Sequence, residues 1–324
     1  MIYGAGAIGS FMGYLLSDTR DLNGNRIENV ALLGRKSHID RIRAVGLQIC
    51  LPEERKHLLF KHCFTSLDDL NATDFCPEII LVCVKTYSLP GVCHELRRSG
   101  LLQEKLKNAT FILLMNGMGN REVFDELGLP DFRVLQGITS LGVKFSKDGM
   151  VSLKGKGKTI FEERIKDDKK KYMIARFLEK GFEMEFAPDF EDHQYSKLFV
   201  NSVINPITAL TRRENGIVLS PALKNTVQGL VREAVSVAAN EGIKRDEKSV
   251  GKMVYSVAEK TSGNTSSMLQ DVLKGRMTEI DSINGYIIRR AKRQRIEVPL
   301  NEALYELVKS ATAVSPNGQA NDKF

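Results

Sequence analysis

Gly4-Ala5-Gly6-Ala7-Ile8-Gly9 has Met1-Ile2-Tyr3 ahead of it and an apolar stretch to about Ser17 behind it, and it decides how the rest of the chain is read. Glycines spaced this way between a strand and a helix form the first turn of a dinucleotide-binding βαβ unit. Gly4 makes the tight turn, Gly6 lets the backbone approach a pyrophosphate, and Gly9 lets helix close on strand. Ala5, Ala7 and Ile8 complete the loop, and the phosphates rest on the helix N-terminus, where unpaired N–H groups and the helix dipole favour an anion. Only three residues precede Gly4, which leaves no room for a signal peptide. They predict a first strand shorter than the usual ~5 to 6 residues, as in a chain trimmed at its start, and a glycine loop less firmly held for it.

Outward from the motif, a polar insertion containing Asn23-Gly24-Asn25 leads to the apolar strand Val30 to Leu33, which ends in Gly34-Arg35-Lys36. A site selective for NAD places a carboxylate there for the ribose 2′-hydroxyl. Arg35, assisted by Lys36, attracts a 2′-phosphate instead, so NADPH/NADP+ is the expected cofactor. The continuous apolar runs Ile79 to Val84 and Thr110 to Leu114 read as buried strands of a parallel sheet. Lys85 and Asn116-Gly117 follow at their carboxyl ends, where open α/β sheets bind ligands. Val134 to Ile138 is a further strand, and Gly142 to Phe161 reads as a β-meander closing the sheet.

From about Asp189 strand signals vanish. Ser196 to Thr211, Pro221 to Asn240, Asp246 to Lys260, Arg276 to Arg293 and Asn301 to Lys309 each carry an apolar stripe at helical spacing. The expected fold is α/β: an N-terminal Rossmann-type doubly wound sheet over residues 1–188, an all-helical C-terminal domain over 189–314, and a frayed tail over 315–324. A chain of 324 residues is long enough for two domains. With 42% hydrophobic and 27% charged residues and no apolar run near the ~18 to 20 residues of a membrane span, no membrane partner is expected. The net charge of +7 is spread along the chain, with its densest stretches, Lys166 to Lys171 and Arg289 to Arg295, reading as solvated helix faces; no nucleic-acid motif accompanies them. Five cysteines without paired spacing suggest neither a disulfide framework nor a metal site, which fits a reducing compartment such as the cytoplasm. A homodimer through the helical domain is compatible with this organisation, although no stripe singles out an interface.

Lys197, Asn201 and Asn205 recur every fourth residue, so they project along one face, turning only ~40° for each ~6 Å of rise. Reduction of a carbonyl needs a hydride donor on one side and a proton donor at the oxygen. A lysine ammonium supplies the proton, and asparagine amides hold substrate oxygens without adding charge; a solvated stripe would look the same from spacing alone. Pro206 lacks the N–H that would bond the Ser202 carbonyl, which predicts a kink or break that exposes backbone to a ligand. Glu279, Asp281 and Asn284 are polar among apolar neighbours. Glu279 either holds the Lys197 ammonium or binds cofactor ribose, and Ser267 is a hydroxyl donor for a substrate carboxylate; both are also ordinary cap or surface positions.

Taken together, Gly-Ala-Gly-Ala-Ile-Gly, Asn116-Gly117-Met118-Gly119, Lys197-Leu198-x-x-Asn201-x-x-x-Asn205-Pro206-x-Thr208-Ala209, Ser266-Ser267-Met268-Leu269-Gln270-Asp271 and Thr278-Glu279-Ile280-Asp281-x-Ile283-Asn284-Gly285 resemble the ketopantoate reductase (2-dehydropantoate 2-reductase) family over nearly the whole chain. The resemblance implies a Rossmann domain joined to a helical one with the active site in the cleft between them. It also implies reduction of 2-dehydropantoate to (R)-pantoate on the way to pantothenate and coenzyme A, with no metal. Carried over by position, Lys197 is the general acid, and Asn116, Asn201, Asn205 and Ser267 bind substrate or lie beside the nicotinamide. Glu279 contacts NADPH near the lysine, Arg35 and Lys85 match basic cofactor contacts, and Val143 matches a backbone cofactor contact loosely. Departures are the short first strand, the insertion before Val30 and a longer polar segment around Leu51 to His62. The alternatives are a reductase of another branched 2-oxo acid, and an NADPH-binding sensor without turnover.

Overall fold

A computed structural model describes residues 1–18 and 26–312. The Asn23-Gly24-Asn25 insertion and the expected tail at 315–324 lie outside the described residues. By compactness the described residues divide into one unit within Met1–Met115 and Asn120–Phe190, and a second of Asn116–Gly119 with the described residues from Glu191 on.

In the first unit the strands are β1 (Ile2–Tyr3), β2 (Ile27–Leu33), β3 (Leu47–Cys50), β4 (Arg55–Leu58), β5 (Phe60–Phe64), β6 (Ile79–Val82), β7 (Thr110–Leu114), β8 (Val134–Thr139), β9 (Gly142–Lys147), β10 (Met150–Gly155), β11 (Thr159–Glu162) and β12 (Met184–Ala187). Its helices are α1 (Ala7–Leu16), α2 (Lys36–Val45), α3 (Leu67–Asn71), α4 (Leu89–Ser99), α5 (Asn120–Asp125) and α6 (Asp167–Glu179). The main sheet has eight strands in the order β12-β11-β8-β7-β6-β1-β2-β5. All its pairs are parallel except β11 with β8.

The apolar runs are continuous because both faces of this sheet are covered, and strand geometry sends alternate residues to opposite sides. Leu81, Ile112 and Leu114 pack with Phe11, Met12 and Leu15 of α1 and Met173 and Phe177 of α6. Ile80, Val82, Phe111 and Leu113 pack with Leu67 and Leu70 of α3, Leu89 and Leu96 of α4, and Phe124 of α5. Each such side chain withdrawn from water contributes ~1.5 to 3 kcal/mol, so the sheet's midline is the most strongly held part of the unit. The chain runs from β1 outward through β2 to β5, then returns to β6 and proceeds the other way. The reversal falls between β1 and β6, the topological switch point beside which Gly4 and Lys85 emerge. Although short, β1 is flanked on both sides, pairing Ile2 with Leu32 and Leu81.

The expected meander is corrected. β9 and β10 do not extend the main sheet but join β3 and β4 in a separate sheet of order β4-β3-β10-β9. The partner is β3, just before the polar-looking segment: the chain after Leu51 turns back as β4 to complete a β3–β4 hairpin, and the other edge of β3 takes β10 in parallel, Ile49 opposite Val151. Leu47, Ile49, Leu58, Val151 and Leu153 bury one face of this sheet into the core shared with α1.

In the second unit the helices are α7 (Phe190–Thr211), α8 (Lys224–Asn240), α9 (Glu247–Lys260), α10 (Ser267–Leu273), α11 (Asn284–Gln294) and α12 (Pro299–Thr312). The expected helix from Arg276 to Arg293 is shorter: a 3-10 turn at Ile280–Ser282 precedes α11, and Ile283, at φ −103 and ψ −93, separates the two. Leu198, Phe199, Val203, Ile204 and Ile207 of α7 pack with Val227, Leu230 and Val231 of α8 and Ile287 of α11.

Pro206 sits inside α7, which runs through it rather than breaking there. The Ser202 carbonyl left without its helical donor accepts instead from Asn284 Nδ2 at 2.9 Å. The same amide nitrogen donates to Asn301 Oδ1 at 2.9 Å, and Asn301 Nδ2 donates to Glu233 at 2.8 Å. Asn284 and Asn301 are fully buried, so the carbonyl expected to face a ligand is closed off by protein. Asn284→Ala leaves that carbonyl unsatisfied and should lower stability by ~1 to 3 kcal/mol. Adding Pro206→Ala restores a backbone donor, so in denaturant unfolding the double variant should recover about 1 kcal/mol or more of the loss. Strict additivity of the two changes would contradict the assignment.

Candidate active site

α7 carries Lys197, Asn201 and Asn205 on one face, as their spacing requires. The Lys197 ammonium donates to Asn116 Oδ1 at 3.0 Å, and Asn116 Nδ2 donates to Glu279 Oε2 at 3.0 Å. An amide flip would turn a donor toward an ammonium and an acceptor toward a carboxylate, so these partners fix the Asn116 orientation. Lys197 is half-buried and Glu279 is 5% exposed. Burial pulls the lysine pKa down from 10.5 to about 8, and the Glu279 charge opposes the fall. The ammonium is therefore poised near neutrality while still predominantly protonated at pH 7.

Asn116 belongs by compactness to the second unit, although it follows β7 directly. The segment after it lies against the 3-10 turn at Ile280–Ser282: Met118 N–H donates to the Ser282 carbonyl at 2.8 Å, and Ser282 Oγ donates to the Glu279 carbonyl at 3.0 Å. Gly117 has φ +73, and a Cβ there would fall 2.2 Å from the Ser282 carbonyl oxygen, so no other residue permits this approach. Ser282, which sequence reasoning missed, thus helps hold both Asn116 and Glu279.

Asn205 is 5% exposed and Asn201 half-buried, and among the described residues neither amide has a hydrogen-bond partner. They are the polar groups on the lysine face left available to a ligand. Ser267 is exposed at the start of α10. Its neighbour Ser266 takes the structural duty, capping α10 through Leu269 N–H and bonding Thr208 Oγ1 at 2.6 Å. Thr208 lies one turn past Asn205, which brings the start of α10 to this end of α7. Asp281 serves packing, accepting from Tyr305 at 2.6 Å and from Lys309 at 3.0 Å.

In the first unit, Gly4 and Ala5 N–H groups both donate to the Leu33 carbonyl, which ties the loop to the end of β2. A Cβ on Gly4 (φ +99) would strike Val84, and one on Gly9 would lie 2.1 Å from the Gly4 carbonyl, whereas one on Gly6 would meet nothing within 4 Å. Gly4 and Gly9 are needed by the fold, and Gly6 leaves open space over the start of α1, which has no acidic residue in its first turn. That is a cradle suited to pyrophosphate. Arg35 is exposed at the N-cap of α2, its guanidinium 5.5 Å from the Phe145 ring centroid. Lys36, the expected assistant, pairs with Asp40 at 2.8 Å. Lys85 is half-buried just beyond β6. Val143 lies in β9 of the small sheet, opposite Leu153, rather than on the main sheet.

Family models described as Ketopantoate reductase PanE/ApbA and Ketopantoate reductase PanE/ApbA C terminal match residues 1–165 and 189–312. The chain is 32% identical to a 2-dehydropantoate 2-reductase of Pyrococcus horikoshii over 321 residues, 95% of this chain and 96% of that one. Among solved structures, a probable 2-dehydropantoate 2-reductase from Bacillus subtilis superposes with a TM-score of 0.73 at 26% identity, covering 96% of this chain and 98% of that one. D-mandelate dehydrogenase with NADH and anilino(oxo)acetate shares the fold at a TM-score of 0.81 and 24% identity, covering 96% and 97%.

Because Glu279 supports the charged lysine, Glu279→Gln should move the Lys197 ε-ammonium pKa from about 8 to a lower value. Titration of isotopically labelled lysine by NMR reads both numbers. An unchanged value in the variant would remove Glu279 from the account.

Proposed function

This chain belongs to the ketopantoate reductase family, and we propose that it reduces 2-dehydropantoate to (R)-pantoate with NADPH, a step toward pantothenate and coenzyme A. The observation that carries the reading is the Lys197–Asn116–Glu279 chain beside the uncommitted amides of Asn201 and Asn205. When bound, the nicotinamide supplies the hydride that adds to the substrate's keto carbon. Negative charge then grows on the carbonyl oxygen, and Lys197 Nζ, a partly desolvated ammonium, stabilises it and gives up its proton to it. Asn116 and Glu279 hold the nitrogen in place while that charge develops. Asn201, Asn205 and Ser267 orient the substrate through its carboxylate and hydroxyl, with Asn116 within reach of both substrate and nicotinamide side.

For the cofactor, we assign the pyrophosphate to Gly4, Ala5, Gly6, Ala7, Ile8 and Gly9 at the start of α1. The 2′-phosphate goes to Arg35, which stands at the N-terminus of α2 with no carboxylate in the helix's first turn. Lys85 is a second basic contact at the switch point, and Glu279 and the backbone of Val143 complete the set.

With 2-dehydropantoate and NADPH followed by absorbance, Lys197→Ala should lower kcat by about two to four orders of magnitude while NADPH binding changes little. Wild type that binds NADPH and reduces only other branched 2-oxo acids would replace the substrate but keep the chemistry; binding without any oxidation would favour a sensor. Arg35→Ala should raise KM for NADPH about tenfold or more and leave KM for NADH nearly unchanged. Equal losses with both cofactors would contradict the 2′-phosphate assignment.

A further inference from the structure

We propose that Ser10 and His38 are positioning residues that lock the glycine loop in the form that receives the cofactor pyrophosphate, an inference that rests on the cofactor reading above. Neither residue stands in the glycine motif, and both are buried, Ser10 at 0% and His38 at 1% exposure. His38 Nδ1 lies 2.9 Å from the Gly149 backbone nitrogen, and Nε2 lies 3.0 Å from Ser10 Oγ. A backbone N–H only donates, so Nδ1 must accept and the ring carries its proton on Nε2. That proton goes to Ser10 Oγ, whose own hydrogen is directed at the Ala5 carbonyl at 3.3 Å. The polarity of the whole chain is fixed: Gly149 N–H to His38, His38 to Ser10, Ser10 to Ala5.

The last link acts on the loop itself. The Ala5 carbonyl belongs to the Ala5–Gly6 peptide, the one beside the open space over Gly6. With Ser10 donating to it, that carbonyl is kept turned toward the helix. Released, the peptide has a glycine on one side to permit rotation, and a carbonyl turned outward would oppose an anion where the cradle should attract one. The other end of the chain is anchored as firmly. Gly149, at φ +75, forms the turn between β9 and β10, so the small sheet presents the N–H that orients the imidazole. Phe145 of β9 packs on both His38, at 4.8 Å between centroids, and Arg35, at 5.5 Å. The pyrophosphate loop and the candidate 2′-phosphate residue are thereby referred to a single strand. Burial supports the neutral ring by pulling the His38 pKa down to about 4.

Asparagine in place of histidine keeps an acceptor near Nδ1 but does not reach Ser10, whereas glutamine keeps a donor near Nε2. NADPH and NADH dissociation constants of the wild type, Ser10→Ala, His38→Asn and His38→Gln, by fluorescence titration, separate the links. Ser10→Ala and His38→Asn should weaken both cofactors by about tenfold, the worth of one buried hydrogen bond, with kcat at saturating cofactor unchanged. His38→Gln should stay within about threefold of wild type while losing thermal stability through the abandoned Gly149 N–H. Unchanged binding in Ser10→Ala and His38→Asn, or equal losses in His38→Asn and His38→Gln, overturns the inference and leaves the cofactor reading standing. Wild type that binds neither dinucleotide overturns both. If the variants do not fold, imidazole 15N NMR of the wild type decides: the Nε2–H tautomer at pH 7 is required, and the Nδ1–H tautomer or the imidazolium overturns it.

Discussion

One asparagine amide, that of Asn116, accepts from an ammonium with its oxygen and donates to a carboxylate with its nitrogen, and the site is arranged around that double duty. A bare lysine withdrawn from water would lose its proton, and a bare glutamate beside it would lock the proton on. Burial pulls the Lys197 pKa down, the Glu279 charge opposes the fall while the Asn116 amide bonds both groups, and the ammonium settles near pKa 8. The surrounding sequence serves this geometry. Gly117 is glycine because a Cβ would meet the Ser282 carbonyl, and Ser282 in turn braces the Glu279 backbone.

The same economy governs α7. Its lysine face depends on an unbroken helix, yet Pro206 deletes a hydrogen bond from it, an interruption that costs ~3 kcal/mol in an ordinary helix interior. Asn284 makes good the missing donor, and Asn301 and Glu233 hold Asn284 in place. Two motifs that look unrelated along the chain, Asn205-Pro206 and Ile283-Asn284-Gly285, are two sides of one repair.

What could be read from the sequence follows from how local each signal is. The glycine loop, the buried runs of β6 and β7 and the stripes of α7, α8 and α9 repeat at the period of their own backbone, so a short window reveals them. The fate of β9 and β10 was hidden because the strand that receives β10, the four-residue β3, lies about a hundred residues earlier. The Arg276 to Arg293 stripe was read too long because apolar spacing continues across the 3-10 turn before α11. Within the site, residue types were legible and bonds were not. Pro206 announced a free carbonyl, but its partner stands 82 residues away; Lys197 and Glu279 were legible as residue types, but the Asn116 amide that bonds both is 81 residues before the lysine. His38, a single histidine in a short helix, gave no signal.

If the desolvated Lys197 ammonium is the proton donor, the pH dependence of kcat/KM for 2-dehydropantoate must follow its titration. The rate should be flat through neutrality and fall tenfold per pH unit above about 8, where the free enzyme's lysine loses its proton. In Glu279→Gln the break should move to lower pH by the same amount as the lysine titration. A rate that stays level to pH 10, or a break that ignores the Glu279 charge, would mean that the proton comes from elsewhere.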